Sequence, residues 1–206
     1  MSKRGQGVIV YLHGFRSSPL SRKALLLRRH LELRNLENQY LCPALPASPR
    51  AAAEMVLELT QGVPAGALAV IGSSLGGYYA TWIAETLGCR AVLLNPAIDP
   101  AADLQAHVGR QPIYFSAEHI DFRPEYIEEL RNLVTSVTQP ERYFLIAATG
   151  DAVIDYRTMI AKYRGARQRL IDGSNHELSD FETYIDEVLA FCGAANVQES
   201  TVRARR

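Results

Sequence analysis

A serine between two glycines, at the spacing G-x-S-x-G, is the feature of this sequence with the clearest chemical meaning. The motif occupies residues 72–76, with Ser74 at its centre, between an apolar run at residues 67–71 and a helical pattern at residues 75–87. This setting is typical of a sharp strand-to-helix turn that exposes the serine hydroxyl, and glycines there avoid backbone clashes. The helix N-terminus beneath the turn favours developing negative charge. We predict that Ser74 is a nucleophile; the alternative is a glycine-rich turn with an idle serine.

A histidine and a carboxylate later in the chain fit the two partners that a serine nucleophile requires. A serine hydroxyl is weak until a base takes its proton, and with this turn the chain order is serine, acid, histidine. His176 lies in a turn between the last weak strand and the last helix, and Asp151 follows a strong strand. Asp155 is the rival acid, at a position expected to cap the next helix. We predict a catalytic triad of Ser74, Asp151 and His176.

Two backbone N–H groups are expected to form an oxyanion hole. One belongs to Leu75, the residue after the nucleophile, and the other should come from the loop after the first strand. Phe15 is the natural second donor, because Gly14 before it lets the loop run close to the serine. We expect the His13 side chain to brace this loop by hydrogen bonds and assign it no part in proton transfer.

Apolar runs and helical patterns alternate along the chain and must position these residues. The strong strand candidates are residues 8–12, 68–71, 91–94 and 143–147, and the weaker ones are residues 40–41 and 168–171. Helical patterns cover residues 21–35, 50–60, 75–87, 124–133, 156–163 and 178–191. Continuous apolar runs are typical of strands buried on both faces of a parallel sheet. The alternation therefore predicts an α/β fold, a mainly parallel six-stranded sheet with helices on both faces.

The interval between residues 96 and 140 shows no clear strand pattern. A structureless loop of that length is uncommon in a compact domain, so we expect inserted helices that form a small lid at about residues 97–140. Tyr78, Phe115 and Phe122 are candidates to line a small apolar acyl pocket, although packing of the lid onto the sheet explains such aromatic residues equally well.

The composition indicates one globular domain and argues against several classes of partner. Of 206 residues, 48% are hydrophobic and 21% charged, and 22 basic residues balance 22 acidic ones, so the basic surplus of nucleic-acid-binding proteins is lacking. Three widely spaced cysteines suggest neither a disulfide framework nor a metal site, as expected in the cytoplasm. No apolar run predicts a signal peptide or a membrane span. We expect a single domain over residues 1–193 and a flexible tail over residues 194–206.

Taken together, these motifs resemble the α/β-hydrolase superfamily, and more closely the small bacterial YqiA-like esterases. The shared motifs are YLHGF at residues 11–15, GSSLGGYYA at 72–80, NPA at 95–97, TGD at 149–151 and GS at 173–174. The resemblance covers residues 8 to about 191. It implies a compact hydrolase with strand order 2-1-3-4-5-6, and an esterase or thioesterase for short acyl esters or acyl-CoA with Ser74, Asp151 and His176 as its triad.

Several functions are compatible with this site. Our first prediction is a serine carboxylesterase that hydrolyses short-to-medium acyl esters through an acyl-enzyme, without cofactor or metal, as a monomer or homodimer. An acyl-CoA thioesterase is the alternative, because a triad does not distinguish oxygen from sulfur leaving groups. Basic residues at 22–23 and 28–30 are either partners for CoA phosphates or the solvated face of a helix. A non-catalytic binding module on the same fold, and acyl transfer to an alcohol or amine, also remain open.

Overall fold

Six parallel strands form the central sheet in a computed structural model that describes residues 7–114 and 116–194. In chain order the strands are β1 (Val8–Leu12), β2 (Tyr40–Leu41), β3 (Leu68–Ser73), β4 (Arg90–Leu94), β5 (Gly109–Pro112), β6 (His119–Phe122), β7 (Tyr143–Ala148) and β8 (Arg167–Ile171). The order in the main sheet is β2-β1-β3-β4-β7-β8, and all neighbours are parallel. The six predicted strands and the order implied by the resemblance are confirmed.

Helices cover both faces of this sheet, as the apolar strands predict. In chain order they are α1 (Arg22–Glu32), α2 (Pro49–Leu59), α3 (Leu75–Leu87), α4 (Pro100–Asp103), α5 (Glu125–Asn132), α6 (Tyr156–Lys162) and α7 (Ile185–Phe191). One face of the sheet packs on α1 and α7, which bury Leu27 and Val188. The other packs on α2, α3 and α6, which bury Val56, Ile83 and Met159. Because the inner strands β1, β3, β4 and β7 are covered on both sides, apolar residues are favoured along most of their length, whereas the edge strand β8 is largely exposed.

The segment between β4 and β7 contains the expected helices and, in addition, a hairpin that was not predicted. Strands β5 and β6 pair antiparallel, with Gly109 opposite Phe122. The expectation that this interval contains no strand is therefore wrong. The reason is that only Phe122 is buried in these two strands, so neither has an apolar run that would signal a strand. The inserted segment is a mixture of helices and a hairpin.

Arg16 joins this hairpin to the loop that follows β1. Its Nε donates to the Pro112 carbonyl at 2.8 Å, and its guanidinium lies 4.5 Å from the centre of the Tyr114 ring. The Tyr114 N–H in turn donates to the Arg16 carbonyl at 2.8 Å. The hairpin is thus fastened beside Phe15, one of the predicted oxyanion donors.

The last helix begins later than predicted. Instead of one helix over residues 178–191, the structure has a 3₁₀ turn at Phe181–Tyr184 and then α7. Leu178 adopts φ 47°, in the left-handed region that no regular α-helix can contain. Leu178 and Phe181 are nevertheless fully buried. The spacing of these two buried residues is that of one face of a helix, although the backbone between them bends.

The remaining predictions concern the thiols, the membrane and the C-terminal end. The thiols of Cys42, Cys89 and Cys192 are free. Within residues 7–114 and 116–194, no helix has the length and apolar character needed to cross a bilayer. Of the predicted tail, residues 195–206 lie outside the described residues. Ala194, the first residue of the predicted tail, is buried.

Candidate active site

Ser74 lies at a sharp turn between β3 and α3. Its φ of 54° and ψ of −120° fall outside the regions that L-residues ordinarily occupy. A Cβ added at Gly72 would lie 2.2 Å from the Gly76 carbonyl oxygen, and one added at Gly76 would lie 2.0 Å from the Leu12 carbonyl oxygen. Only glycine fits at either position, because the backbone segments are in direct contact. The spacing that predicted this turn thus reflects a steric requirement.

The side chains of Ser74, His176 and Asp151 form a continuous chain of hydrogen bonds. His176 Nε2 lies 3.1 Å from Ser74 Oγ, and His176 Nδ1 lies 2.7 Å from Asp151 Oδ2. An ionised carboxylate only accepts hydrogen bonds, so Nδ1 carries the imidazole proton and Nε2 presents its lone pair to the serine hydroxyl. This arrangement can take the proton from Ser74 when its oxygen attacks an electrophile.

Asp151 is fixed and kept ionised by its surroundings. Its side chain is completely shielded from solvent. Its Oδ1 accepts from the N–H groups of Val153 at 2.8 Å and Ile154 at 2.9 Å, which leaves Oδ2 free for His176. Burial by itself would raise the pKa of Asp151, but the hydrogen bonds from His176 and the two amides outweigh it and lower the pKa below its ordinary value. The carboxylate is therefore suited to orienting the imidazole and stabilising it when protonated.

Two backbone N–H groups near Ser74 are free to bind a further acceptor. They belong to Phe15 and Leu75, and in the part of the chain that the structure describes neither donates a hydrogen bond. The loop of Phe15 runs against the turn, since a Cβ at Gly14 would lie 3.2 Å from the Ser74 Cβ. Free amides beside a nucleophile are what an oxyanion hole requires. The assignment of these two amides to that role stays a prediction.

His13 braces the loop after β1, as expected. Its Nε2 accepts from the Leu45 N–H at 3.1 Å, so its proton is on Nδ1, which donates to the Gly14 carbonyl at 3.0 Å. Burial lowers the pKa of His13, although the Gly14 bond opposes this shift. His13 is therefore a neutral structural link with both ring nitrogens engaged.

The predicted pocket residues are packed between the inserted segment and the body of the protein. Tyr78 and Phe122 are only 3% and 1% exposed. The Tyr78 hydroxyl donates to the Leu130 carbonyl at 2.7 Å, and the Phe122 ring packs edge-on against Phe15 at 5.1 Å. Phe115 lies outside the described residues. These contacts agree with the packing alternative, and the pocket assignment stays a prediction.

Two buried polar side chains that bind the His176 loop were not identified from the sequence. Asn95, directly after β4, donates to the His176 carbonyl at 3.1 Å, and Lys23 Nζ donates to the Glu177 carbonyl at 2.7 Å. The expectation of a solvated helix face is wrong for Lys23, because its side chain is only 9% exposed. For Asn95 the available signal was a polar residue directly at the end of an apolar strand.

Comparisons with known proteins identify one family and one fold. The model of the family described as "Uncharacterised protein family (UPF0227)" matches residues 8–193. A structure from Agrobacterium vitis S4 has a TM-score of 0.68 and 16% identity, over 91% of this chain and 88% of that one. Mouse alpha/beta hydrolase domain-containing protein 10 has a TM-score of 0.64 and 14% identity, over 88% and 89%. The esterase domain of a Rhodothermus marinus protein has a TM-score of 0.59 and 19% identity, over 91% and 87%. This likeness shows the α/β-hydrolase fold.

Proposed function

We propose that this chain, which belongs to the family UPF0227, is a serine carboxylesterase that hydrolyses short-to-medium acyl esters through an acyl-enzyme. The observation that carries the proposal is the chain of hydrogen bonds from Ser74 through His176 to the shielded Asp151. The strained turn at Ser74 supports it, because such backbone strain concentrates at functional sites. The esterase name of one structural relative agrees with the proposal.

The first half of the reaction forms the acyl-enzyme. Ser74 Oγ attacks the ester carbonyl carbon while its proton passes to His176 Nε2, and the carbonyl electron pair moves to the oxygen. The amides of Phe15 and Leu75 donate to this oxyanion, a role in which each donor contributes about 3–4 kcal/mol. The tetrahedral intermediate then expels the alkoxide, which takes the proton from Nε2 and leaves as an alcohol. Asp151 stabilises the transient imidazolium without taking its proton.

The second half of the reaction repeats these steps with water. His176 Nε2 takes a proton from water as the water oxygen attacks the acyl carbon, and the same two amides donate to the new oxyanion. The intermediate collapses by breaking the bond to Ser74 Oγ, which recovers its proton from Nε2. The products are a carboxylic acid, an alcohol and the free enzyme, so no cofactor is consumed.

The contacts around the site favour ester substrates of limited length. Phe15 is partly exposed, and the space behind its ring is filled by Phe122, which supports a short apolar wall rather than a deep tunnel. At the beginning of α1, Lys23 is buried and Arg22 donates to the Ser179 carbonyl. Both side chains bind the protein itself, whereas Arg28 and Arg29 further along α1 are exposed, so an acyl-CoA thioester stays the alternative substrate.

The test compares Ser74→Ala with Ser73→Ala on p-nitrophenyl butyrate and with a fluorophosphonate probe. We expect Ser74→Ala to lose about 10⁴-fold or more in kcat and to lose labelling, because the nucleophile is gone. Ser73 is the adjacent serine, buried at the end of β3, and its variant should retain both properties. Turnover by Ser74→Ala near the wild-type rate would refute the proposal. A panel of acyl esters and acyl-CoA thioesters of graded length would then define the substrate.

A further inference from the structure

The backbone on both sides of His176 is held by side chains from two distant elements. Asn95 Nδ2 donates to the carbonyls of Asn175 and His176, both at 3.1 Å. Lys23 Nζ donates to the next carbonyl, that of Glu177, at 2.7 Å. Three successive carbonyls of the loop are thus fixed by two donors, one after β4 and one on α1. We call Asn95 and Lys23 together the carbonyl clamp.

Asn95 is suited to this position by its backbone and by its amide. It is 0% exposed and adopts φ 44°, a left-handed conformation that asparagine tolerates better than most residues. Its Oδ1 accepts from the Ala148 N–H at 2.8 Å, three residues before Asp151. Its amide therefore donates both hydrogens to the histidine loop while its oxygen binds the strand that leads to the acid.

The residues next to Asn95 also hold the serine. The Ser74 N–H donates to the Leu94 carbonyl at 3.0 Å, and the Ala97 N–H donates to the Ser74 carbonyl at 2.9 Å. The turn after β4 thus makes hydrogen bonds to all three segments that carry Ser74, Asp151 and His176. A change in this turn would therefore alter the positions of Ser74, Asp151 and His176 relative to one another.

Lys23 approaches the loop from the other face of the sheet, where α1 packs. Its stem is buried, and its ammonium also lies 3.5 Å from Glu177 Oε2. The Glu177 side chain is 79% exposed, so this ion pair is solvated and contributes little. The hydrogen bond to the Glu177 carbonyl is the contact that engages the loop backbone.

We propose that the carbonyl clamp positions His176, so that its imidazole stays within hydrogen-bond distance of Ser74 and Asp151. This inference rests on the proposed hydrolase function. Neither clamp residue contacts the reacting atoms; both act through the backbone of the histidine loop. The effect is sensitive to small movements, because a displacement of about 1 Å in a catalytic group can cost about 10²-fold in rate.

The test uses Asn95→Asp and Lys23→Met. The first variant retains the shape and the acceptor for Ala148 but loses both N–H donors, and the second retains the apolar stem but loses the ammonium. We expect each to lower kcat on p-nitrophenyl butyrate by about 10²-fold, because the base is misplaced. KM should be unchanged, because the substrate-binding surface is intact. Thermal unfolding of each variant checks that it is folded.

A second measurement does not depend on turnover. The His176 Nδ1 proton, hydrogen-bonded to a carboxylate, is expected to give a resolved downfield signal in proton NMR spectra. The signal should weaken or disappear in the clamp variants. Asn35→Asp is the matched control, because Asn35 also has a positive φ of 55° but is exposed in the turn beyond the far end of α1. This control should keep both kcat and the signal.

The outcomes separate the two proposals. A folded clamp variant that keeps wild-type kcat and the Nδ1 signal refutes the role of that residue. If Asn95→Asp does not fold, the kcat and the Nδ1 signal of Lys23→Met decide whether fixing the loop carbonyls positions His176. A wild-type protein that neither hydrolyses esters nor reacts with the fluorophosphonate refutes the hydrolase function. In that case the Nδ1 signal still tests whether the clamp holds the imidazole.

Discussion

Two aspartates four residues apart, Asp151 and Asp155, have different roles because their carboxylates face different donors. Asp151 divides its two oxygens between His176 and a pair of backbone amides. Asp155 accepts from the Arg157 N–H at 2.9 Å and caps α6, as predicted. Single hydrogen bonds thus decide which of two chemically identical groups becomes part of the candidate site.

This difference predicts opposite effects of the same substitution. We expect Asp151→Asn to lower kcat by about 10⁴-fold, because the amide cannot hold the imidazole in the required tautomer. Asp155→Asn should leave kcat unchanged and change the free energy of unfolding by less than about 1 kcal/mol, since asparagine also caps helices. Steady-state kinetics and urea unfolding measure both. Equal kinetic losses in the two variants would contradict the assignment of Asp151.

The connection between β3 and α3 depends on glycine more than any other element junction at the site. Gly76 lies against the Leu12 carbonyl, so the turn and the end of β1 share the same space. The junction therefore couples the serine to the strand whose loop carries Phe15. A side chain at this point would separate the elements that form the candidate site.

We predict that Gly76→Ala lowers the free energy of unfolding by about 3 kcal/mol or more, because its Cβ would overlap backbone that cannot move aside. Gly66→Ala is the control, since a Cβ there has no atom within 4 Å and Gly66 does not have a positive φ. It should be neutral or stabilising by up to about 1 kcal/mol. Denaturant unfolding of both proteins measures the difference. Comparable stability of the two would contradict the steric argument.

The described residues form two apolar layers, and of these only one contains residues of the inserted segment. Phe122 belongs to the layer of α2, α3 and α6, which α5 joins through Ile127 and Leu130, and it packs on Phe15 and Tyr126. Phe144 belongs to the opposite layer and packs on Phe191 of α7. The inserted segment is thus part of the core on the Phe122 side, where it limits the space available beside Phe15.

This asymmetry predicts that Phe122→Leu changes substrate length preference and Phe144→Leu does not. Both variants should lose about 1–3 kcal/mol of stability, as is usual for core substitutions. Only Phe122→Leu frees space behind Phe15, so we expect its kcat/KM for an octanoate ester to rise about 10-fold relative to butyrate. A series of p-nitrophenyl esters measures the ratio. If Phe144→Leu changed the octanoate-to-butyrate ratio equally, lost stability and not pocket shape would be the cause of the change.

The strand order came from the family resemblance, and the sequence alone was sufficient to predict the six strands of the main sheet and the candidates Ser74, Asp151 and His176. These features depend on local signals: continuous apolar runs for strands buried on both faces, and a glycine spacing that few backbone turns require. The tertiary structure decided the rest. The β5–β6 hairpin is too exposed to leave an apolar pattern, and the bend at Leu178 has the apolar spacing of a helix. The clamp formed by Asn95 and Lys23 depends on contacts between residues about 80 and 154 positions apart. Such hydrogen bonds depend on how the layers pack against one another, and no local sequence pattern indicates that packing.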